Sequence, residues 1–376
     1  MRMLVLSAIC ALLVPEALAG SPGTGTSNQF KDWAIACDQA VTCSAVLLPG
    51  PDPASTDERD SDDGFMLIQR QAGPVATATL GVDIDPAARN QMLTFLVDDR
   101  PVLTVPAAAL AIAATDHDSL RATLRDPAAA AVVIAATANG SRLTLRAGDR
   151  KLASLSLAGL SATLRFMDAV QQRAGTVTAL VAKGSKPATA VPQPPPSAVV
   201  HRAPAPSGPL PEAELKRLAA IVRHRLPPEG GPDECNGLNE SQSPDSFTAS
   251  GFALSPQLAV IALRCSISGA YNEVDALFAI DRRSFAPGPL IIEDLPGLKL
   301  VAMAAPGVPE LWGIEFDPRR MTLSSLGRGR HLSDCGSYAE FTWDGTKFVP
   351  TLYRAMGVCR HVSPQDWPVT WRVELR

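Results

Sequence analysis

The chain has 376 residues and a formal net charge of −4 at pH 7, and its composition combines 33 prolines with only 5% aromatic residues. Such a composition favours β structure with many turns over a helical bundle. Residues 20–186 carry 15 basic and 17 acidic groups and residues 212–376 carry 17 and 20, so neither half has the basic excess typical of nucleic-acid binding.

The first twenty residues have the pattern of a signal peptide. Arg2 supplies a short positive segment, residues 3–14 are apolar but too few to span a bilayer, and the small residues at 17–20 resemble a signal-peptidase site. Cleavage after Ala19 would leave 357 residues (376 − 19), a length that suggests two domains. We therefore expect a periplasmic protein, with envelope association or secretion as alternatives, and no transmembrane segment after cleavage.

Six cysteines follow the signal segment, and an even number in an exported chain predicts disulfides. Two precede a proline-rich segment at 187–211 and four follow it; the six are Cys37, Cys43, Cys235, Cys265, Cys335 and Cys359. Pairing within domains requires the first two to bond to each other and leaves three arrangements for the other four. Of these we favour the pairs nearest in sequence, Cys235 with Cys265 and Cys335 with Cys359.

The segment around the first cysteine pair predicts a disulfide across a β-hairpin. The flanks of Cys37 and Cys43, DWAIAC and CSAVLL, are strand-like, and DQAVT between the cysteines resembles a tight turn. A redox pair needs closer spacing at a helix N-terminus, and a zinc site needs further thiols or histidines, none of which occurs before His117. We expect a structural disulfide; a redox or metal site is the alternative.

Residues 28–186 predict a β-sandwich-like domain. A hairpin at 28–49 and an acidic loop at 49–64 precede strands at 65–71, 76–84 and 91–105, the last with a turn at Asp98-Asp99. The acidic loop is expected to be solvated, because the EF-hand order of ligands that would favour its alternative role, calcium binding, is absent.

Two helices and one further hairpin complete this first domain. Asp126 as N-cap, Pro127 at the first helical position and Gly140 at C′ delimit a predicted helix. A hairpin then turns at Gly148-Asp149. An apolar stripe predicts a second helix ending near Gly175, with its core face formed by Leu160, Leu164, Met167 and Val170.

Residues 187–211 contain nine prolines and predict an extended interdomain linker, with a polyproline ligand for a partner as the alternative. An amphipathic helix follows at 211–226. The remainder of residues 212–376 predicts a disulfide-stapled, β-rich α+β domain, with a hairpin at Asp344-Gly345. The predicted fold class is therefore mainly β with a few helices.

No motif in the sequence predicts an enzyme. The chain lacks G-x-S-x-G, P-loop, G-x-G-x-x-G and H-E-x-x-H patterns, and its five histidines are scattered. We therefore expect a non-enzymatic binding or interaction protein without cofactor or metal, whose partner is an envelope protein or a glycan. The alternative is a hydrolase or thiol-redox enzyme whose interdomain site gathers His331 or His361 with carboxylates.

Two surface features are candidate binding sites. The first would face an anion or a glycan and consists of basic residues bracketing MTLSSLG, namely Arg319, Arg320, Arg328, Arg330 and His331; solvated loop arginines are the alternative. The second is aromatic, because four of the five tryptophans lie in the last 65 residues. Alternation around Trp343 favours rings in the core over a stacking platform.

Several motifs resemble a family of exported bacterial proteins called domain of unknown function 1176. The motifs are DWAIACDQAVTC at the start and GRHLSDCGSYAEFTWDGTKFV with GVCRHVSPQDWPV near the end. The first half is also similar to the invasion-associated locus B family, which implies a β-sandwich followed or interrupted by a short helix, and a periplasmic or surface location. The matching positions are Trp33, Cys37, Cys43, Gly159, Leu160, Cys335, Trp343, Gly345, Phe348, Cys359, Trp367 and Pro368. The resemblance implies no activity.

Overall fold

The computed structural model describes residues 24–50, 64–115, 119–206, 209–224, 249–265 and 271–376. The predicted signal peptide, most of the acidic loop, His117 and Cys235 lie outside the described residues, and the expectations about them stay predictions.

The N-terminal half forms two antiparallel sheets. The seven-stranded sheet has the order β1-β2-β3-β4-β5-β9-β8, and the four-stranded sheet has the order β11-β10-β6-β7. The strands are β1 (Thr26–Phe30), β2 (Trp33–Cys37), β3 (Cys43–Leu47), β4 (Met66–Arg70), β5 (Ala78–Ile84), β6 (Met92–Val97), β7 (Arg100–Pro106), β8 (Ala111–Ala114), β9 (Leu120–Leu124), β10 (Arg142–Ala147) and β11 (Arg150–Ser156). Short 3-10 helices occupy Pro86–Ala88 and Ala107–Ala109.

One hydrophobic core joins the two sheets. It takes Trp33 and Leu80 from the larger sheet and Phe95 and Leu145 from the smaller, all with 0% exposure. Alternate residues of β6 and β10 are buried, the period-2 pattern of strands with one face in a core. The predicted turn at Asp98-Asp99 is confirmed, with both residues in the left-handed region that a two-residue hairpin requires.

Helix α1 (Pro127–Thr137) begins as predicted, because the Asp126 side chain accepts a hydrogen bond from the backbone N–H of Ala129. The prediction that Gly140 occupies C′ is wrong, since the helix ends with Ala138 as its C-cap. A Cβ on Gly140 would lie 2.3 Å from Val97 Cγ1, so this glycine permits close packing against β6.

Helix α2 (Leu160–Val170) buries Leu160, Leu164 and Met167, and this confirms the predicted apolar stripe. The helix ends earlier than the predicted Gly175. Gln172 has a positive φ of 55°, and a left-handed residue at this point stops the helix.

In the described residues of the C-terminal half there are one α-helix and two larger sheets. Helix α3 (Glu212–His224) confirms the predicted amphipathic helix. One sheet has the order β13-β14-β15-β18-β17, with β16 also paired to β15, and the other has the order β19-β20-β21-β22-β23. The strands are β12 (Val199–Val200), β13 (Ala249–Ala253), β14 (Leu258–Arg264), β15 (Val274–Asp281), β16 (Pro287–Gly288), β17 (Ala302–Ala305), β18 (Val308–Trp312), β19 (Ile314–Asp317), β20 (Thr322–Arg328), β21 (Gly336–Trp343), β22 (Phe348–Met356), β23 (Val369–Arg372) and β24 (Glu374–Leu375). Two 3-10 turns occupy Ala188–Ala190 and Pro364–Asp366.

Tryptophans in the C-terminal half lie in its core rather than on a platform. Trp343, Trp367 and Trp371 are at most 7% exposed, and Trp312 is half-buried. Trp343 packs on Phe348 with ring centroids 5.2 Å apart, across the hairpin predicted at Asp344-Gly345.

The strands and helices given above confirm the predicted mainly β fold class with few helices.

The proline-rich segment contacts the C-terminal half. Strand β12 within it pairs in parallel with β24, and Ala203 N–H donates to the carbonyl of Trp343 at 2.9 Å. Among the described residues, no helix has both the length and the apolar character needed to cross a membrane.

The two halves are joined by a shared apolar cluster and by charged contacts. Val46 and Leu48 from the N-terminal half pack with Val362 and Trp367 from the C-terminal half. Arg360 donates to the carbonyls of Leu48 and Pro49 at 3.1 and 2.6 Å and to Asp32 at 3.1 Å. A second charged contact joins Arg121 of β9 to Asp366. This interface positions the cleft described below.

Candidate functional site

The structure contains the disulfides Cys37–Cys43 and Cys335–Cys359. The first links opposed residues of β2 and β3, as expected for a hairpin. Cys265 is also disulfide-bonded, and its predicted partner, Cys235, lies outside the described residues. Asp334 approaches the second disulfide within 4.8 Å, but both sulfurs are consumed in that bond, so this group offers a metal no thiolate.

The five residues of the predicted basic patch lie at opposite ends of one strand. Arg319 and Arg320 precede β20, whereas Arg328, Arg330 and His331 end or follow it. A seven-residue strand separates the two groups by about 20 Å. The structure therefore does not bring the five together.

Three arginines of this set have partners within the protein. Arg320 binds Glu340 at 3.1 Å, Arg330 binds Asp334 at 2.6 Å, and Arg328 donates to the carbonyl of Tyr271 at 3.1 Å. Arg319 and His331 are exposed. These contacts brace loops, so a ligand would have to compete with carboxylates already bound to two of the guanidinium groups.

Two adjoining cavities form a cleft, and the smaller of them lies at the interface of the halves. One, of about 270 Å³, is lined by Tyr338, Arg354, Ser363, Pro364 and Gln365. The other, of about 100 Å³, is lined by Ser44, Leu67, Gln69, Arg354, Gln365, Asp366, Trp367, Val369 and Arg372. Because Arg354 and Gln365 line both, we treat the cavities as one site, called here the Arg354 cleft. Its described lining includes no histidine or cysteine.

Arg354 projects from β22 into the centre of this cleft. Its guanidinium lies over the ring of Tyr338, 5.0 Å from the centroid, and one terminal nitrogen donates to the carbonyls of Pro364 and Gln365. Its Nε is buried and has no hydrogen-bond acceptor among the described residues. Burial lowers the pKa of Arg354, although the group remains a cation at neutral pH.

Tyr338 stands opposite Arg354 in the register of β21 and β22. Its hydroxyl donates to Glu340 Oε1 at 3.0 Å, and Glu340 in turn binds Arg320. Burial, followed by the negative charge of Glu340, raises the pKa of Tyr338 to about 12. The phenol is therefore neutral at physiological pH and adds no negative charge to the cleft.

The carboxylate that lines the cleft is held by a cation outside it. Asp366 accepts hydrogen bonds from Arg121, which also binds Asp83 at 2.7 and 3.0 Å. The lining of the cleft thus holds two guanidinium groups, those of Arg354 and Arg372, and one carboxylate. An arrangement of this kind favours an anionic group with hydrogen-bonding neighbours.

Sequence reasoning missed Arg354 because its partners come from distant parts of the chain. Ser44 and Gln69 lie more than 280 residues before it, and Gln365 belongs to a later turn. The Asp344-Gly345 hairpin alone would place Tyr338 opposite Tyr353, and a bulge between Glu340 and Phe341 shifts its partner to Arg354. No local motif in the sequence indicates that the N-terminal sheet lies beside Arg354.

Comparisons with known proteins identify a family without an assigned activity. A family model described as "Protein of unknown function (DUF1176)" matches residues 27–374. The chain is 28% identical over 377 aligned positions to the uncharacterized protein YpfG of Escherichia coli (strain K12), with 96% of each chain covered. No solved structure matches the chain. Because the family model spans nearly the whole sequence, the chain belongs to the DUF1176 family of proteins of unknown function.

Proposed function

We propose that this protein is an exported, non-enzymatic binding protein of the bacterial envelope, and that the Arg354 cleft binds an acidic glycan. The observation that carries the proposal is the charge of the cleft lining, in which Arg354 and Arg372 stand against the single carboxylate of Asp366. The carboxylate of a sugar acid would balance this charge.

The other polar groups of the cleft support a sugar as the ligand. Ser44 and Gln69 face the cleft from the N-terminal sheet, and Gln365 faces it from the C-terminal half. Hydroxyl and amide groups donate and accept equally well, as recognition of sugar hydroxyls requires. The smaller cavity draws on both halves, so a ligand that fills it would need the complete chain.

Location and domain organisation form part of the same proposal. The disulfides fit an oxidising compartment, which supports export and a periplasmic location. The two-sheet arrangement of β1 to β11 supports a domain of the invasion-associated locus B type at residues 28–186. Residues 187–211 would act as the linker and residues 212–376 as the second domain.

Calorimetric titration with an oligosaccharide of hexuronic acid tests the proposal. We expect the acidic oligosaccharide to bind at least ten-fold more tightly than a neutral hexose oligosaccharide of equal length. A hydrogen bond to a charged group contributes about 1.5–3 kcal/mol, which corresponds to roughly ten- to hundred-fold in affinity.

Two matched variants locate the binding site. Arg354→Gln should abolish the preference for the acidic oligosaccharide, whereas Arg319→Gln, which removes an exposed arginine outside the cleft, should retain it. Equal losses in both variants would indicate non-specific attraction and contradict the proposal. Capture of an envelope protein at the cleft, without a glycan, would also overturn it.

A further inference from the structure

A second site stands apart from the Arg354 cleft, on a buried polar cluster in the N-terminal half. Arg70 at the end of β4 is 2% exposed, and Asp168 on α2 is 0% exposed. Arg70 Nη2 donates to Asp168 Oδ1 at 2.8 Å, and Arg70 Nε donates to Gln171 at 2.6 Å. Asp168 also accepts from the backbone N–H groups of residues 180–182, so its oxygens are fully used.

A second buried guanidinium, that of Arg173, lies in the electrostatic field of this single carboxylate and does not line the cavity described next. Arg173 is 0% exposed and donates to the carbonyls of Gly73 and Ala76. Its Nε and Nη1 have no acceptor among the described residues. Two buried cations against one buried anion leave an excess positive charge, which is costly unless a further anion approaches.

A cavity of about 250 Å³ lies directly against this cluster. Arg70 forms part of its wall, Lys183 stands at its edge, and the loop whose carbonyls bind Arg173 forms one side. The described lining contains no acidic side chain; besides Arg70 and Lys183 it consists of alanine, valine, proline, leucine, isoleucine and threonine residues. Positive charge and apolar surface are thus combined in one enclosure.

The apolar surface continues around the mouth of the cavity. Val75 is 89% exposed and Val177 is 57% exposed, although both are apolar. Helix α1 forms another wall, and its sequence PAAAAVVIAAT has no charged residue, while its one hydroxyl, on Thr137, is buried. An exposed helix normally presents polar residues to water, so this face is suited to contact an apolar ligand.

We propose that this cavity binds an alkyl carboxylate of medium length, with the alkyl chain against α1 and the carboxylate toward Lys183 and Arg70. A purely apolar ligand would leave the excess positive charge uncompensated. A sugar would leave its hydroxyls against alanine, valine and proline side chains. An amphipathic anion matches both the positive charge and the apolar lining of the cavity.

Titration of the purified protein with hexanoate, octanoate and decanoate tests the ligand class. Each added methylene buries apolar surface and should tighten binding about four-fold until the cavity is full. Octanol and octylammonium serve as matched probes without the negative charge, and we expect each to bind at least ten-fold more weakly than octanoate. Equal binding of octanol and octanoate, or no effect of chain length, would overturn the proposal.

Two variants place the alkyl chain and the carboxylate. Ala131→Leu fills the cavity and should abolish octanoate binding, whereas Ala128→Leu, an exposed position on the same helix outside the lining, should retain it. Lys183→Gln should weaken octanoate binding at least three-fold and leave octanol binding unchanged. Unchanged octanoate binding in Ala131→Leu would contradict the site. Arg354→Gln should not affect octanoate, so this proposal and the proposed glycan site can fail separately.

Discussion

At the scale of single residues, Gly159 shows how closely the chain packs on itself. It lies before α2 with a φ of 97°, a conformation that side-chain-bearing residues rarely adopt. A Cβ at this position would lie 1.9 Å from the carbonyl oxygen of Phe30. Backbone conformation and close approach therefore both require glycine here.

We predict that Gly159→Ala lowers the free energy of unfolding by about 2–4 kcal/mol, because strain and steric overlap add. Gly148→Ala is the matched control. Gly148 also has a positive φ, but a Cβ there would meet nothing within 4 Å, so the loss should be only about 1 kcal/mol. Urea unfolding of both variants measures the difference. Equal losses would show that the contact with Phe30 is unimportant.

The raised pKa of Tyr338 predicts a pH dependence of stability. The folded-state pKa is about 12, whereas a tyrosine in the unfolded chain titrates near 10, so the folded state holds the proton more tightly. The stabilisation is present below about pH 10 and is lost as pH rises toward about 12. Urea midpoints measured from about pH 9 to 11 should therefore fall more steeply in the parent than in Tyr338→Phe. Superimposable pH profiles would refute this prediction.

Residues of the candidate sites were harder to predict from sequence than core residues. Asp168 lies four positions after Leu164, on the buried face of α2, and a lone carboxylate on an apolar face was the available signal for the buried cluster. Arg70 and Arg173 had no such signal, because their convergence depends on tertiary packing across about a hundred residues. The same physical reason hides Arg354.

At the scale of elements, the sequence predicted where helices begin and where hairpins turn better than where helices end. Asp126 and Pro127 marked the start of α1, because an N-cap carboxylate and a fixed proline φ act within a few residues. Gly140 was misread as a helix stop. Its small size serves contact with Val97 on another strand, which a linear pattern does not reveal.

The hairpin of β2 and β3 carries a prediction about its disulfide. Removing Cys37–Cys43 should destabilise the protein by about 2.4 kcal/mol on the chain-entropy estimate for a seven-residue loop. Cys37→Ser and Cys43→Ser should therefore be exported and should show the same lowered melting temperature. A redox role would instead leave the melting temperature unchanged while removing an activity.

At the scale of the whole molecule, the interface between the halves determines the Arg354 cleft. Trp367 is 1% exposed within a cluster that includes Val46 and Leu48 of the N-terminal half. Its indole N–H donates to the carbonyl of Val362 at 2.8 Å, which fixes the ring beneath the turn that carries Gln365. The smaller cavity of the cleft, which Ser44, Leu67 and Gln69 help to line, therefore exists only while the halves are packed together.

Calorimetry of Trp367→Ala tests this dependence. We expect one unfolding transition in the parent and, in the variant, a loss of about 3–5 kcal/mol because a large buried side chain is removed. The two halves should then unfold in separate steps. Trp312→Ala, at a half-buried position in the C-terminal half, should lower stability without separating the halves. A single transition in Trp367→Ala would argue against coupling through this cluster.

In-cell photo-crosslinking gives a direct test of the proposal that the Arg354 cleft binds an acidic glycan in the bacterial envelope. A photoreactive residue at Gln365 lies in both cavities of the cleft, and one at Arg319 lies on the surface outside it. After irradiation of intact cells, mass spectrometry should find carbohydrate adducts at position 365 and none at position 319. Adducts at both positions in equal yield, or only protein adducts at position 365, would contradict the claim.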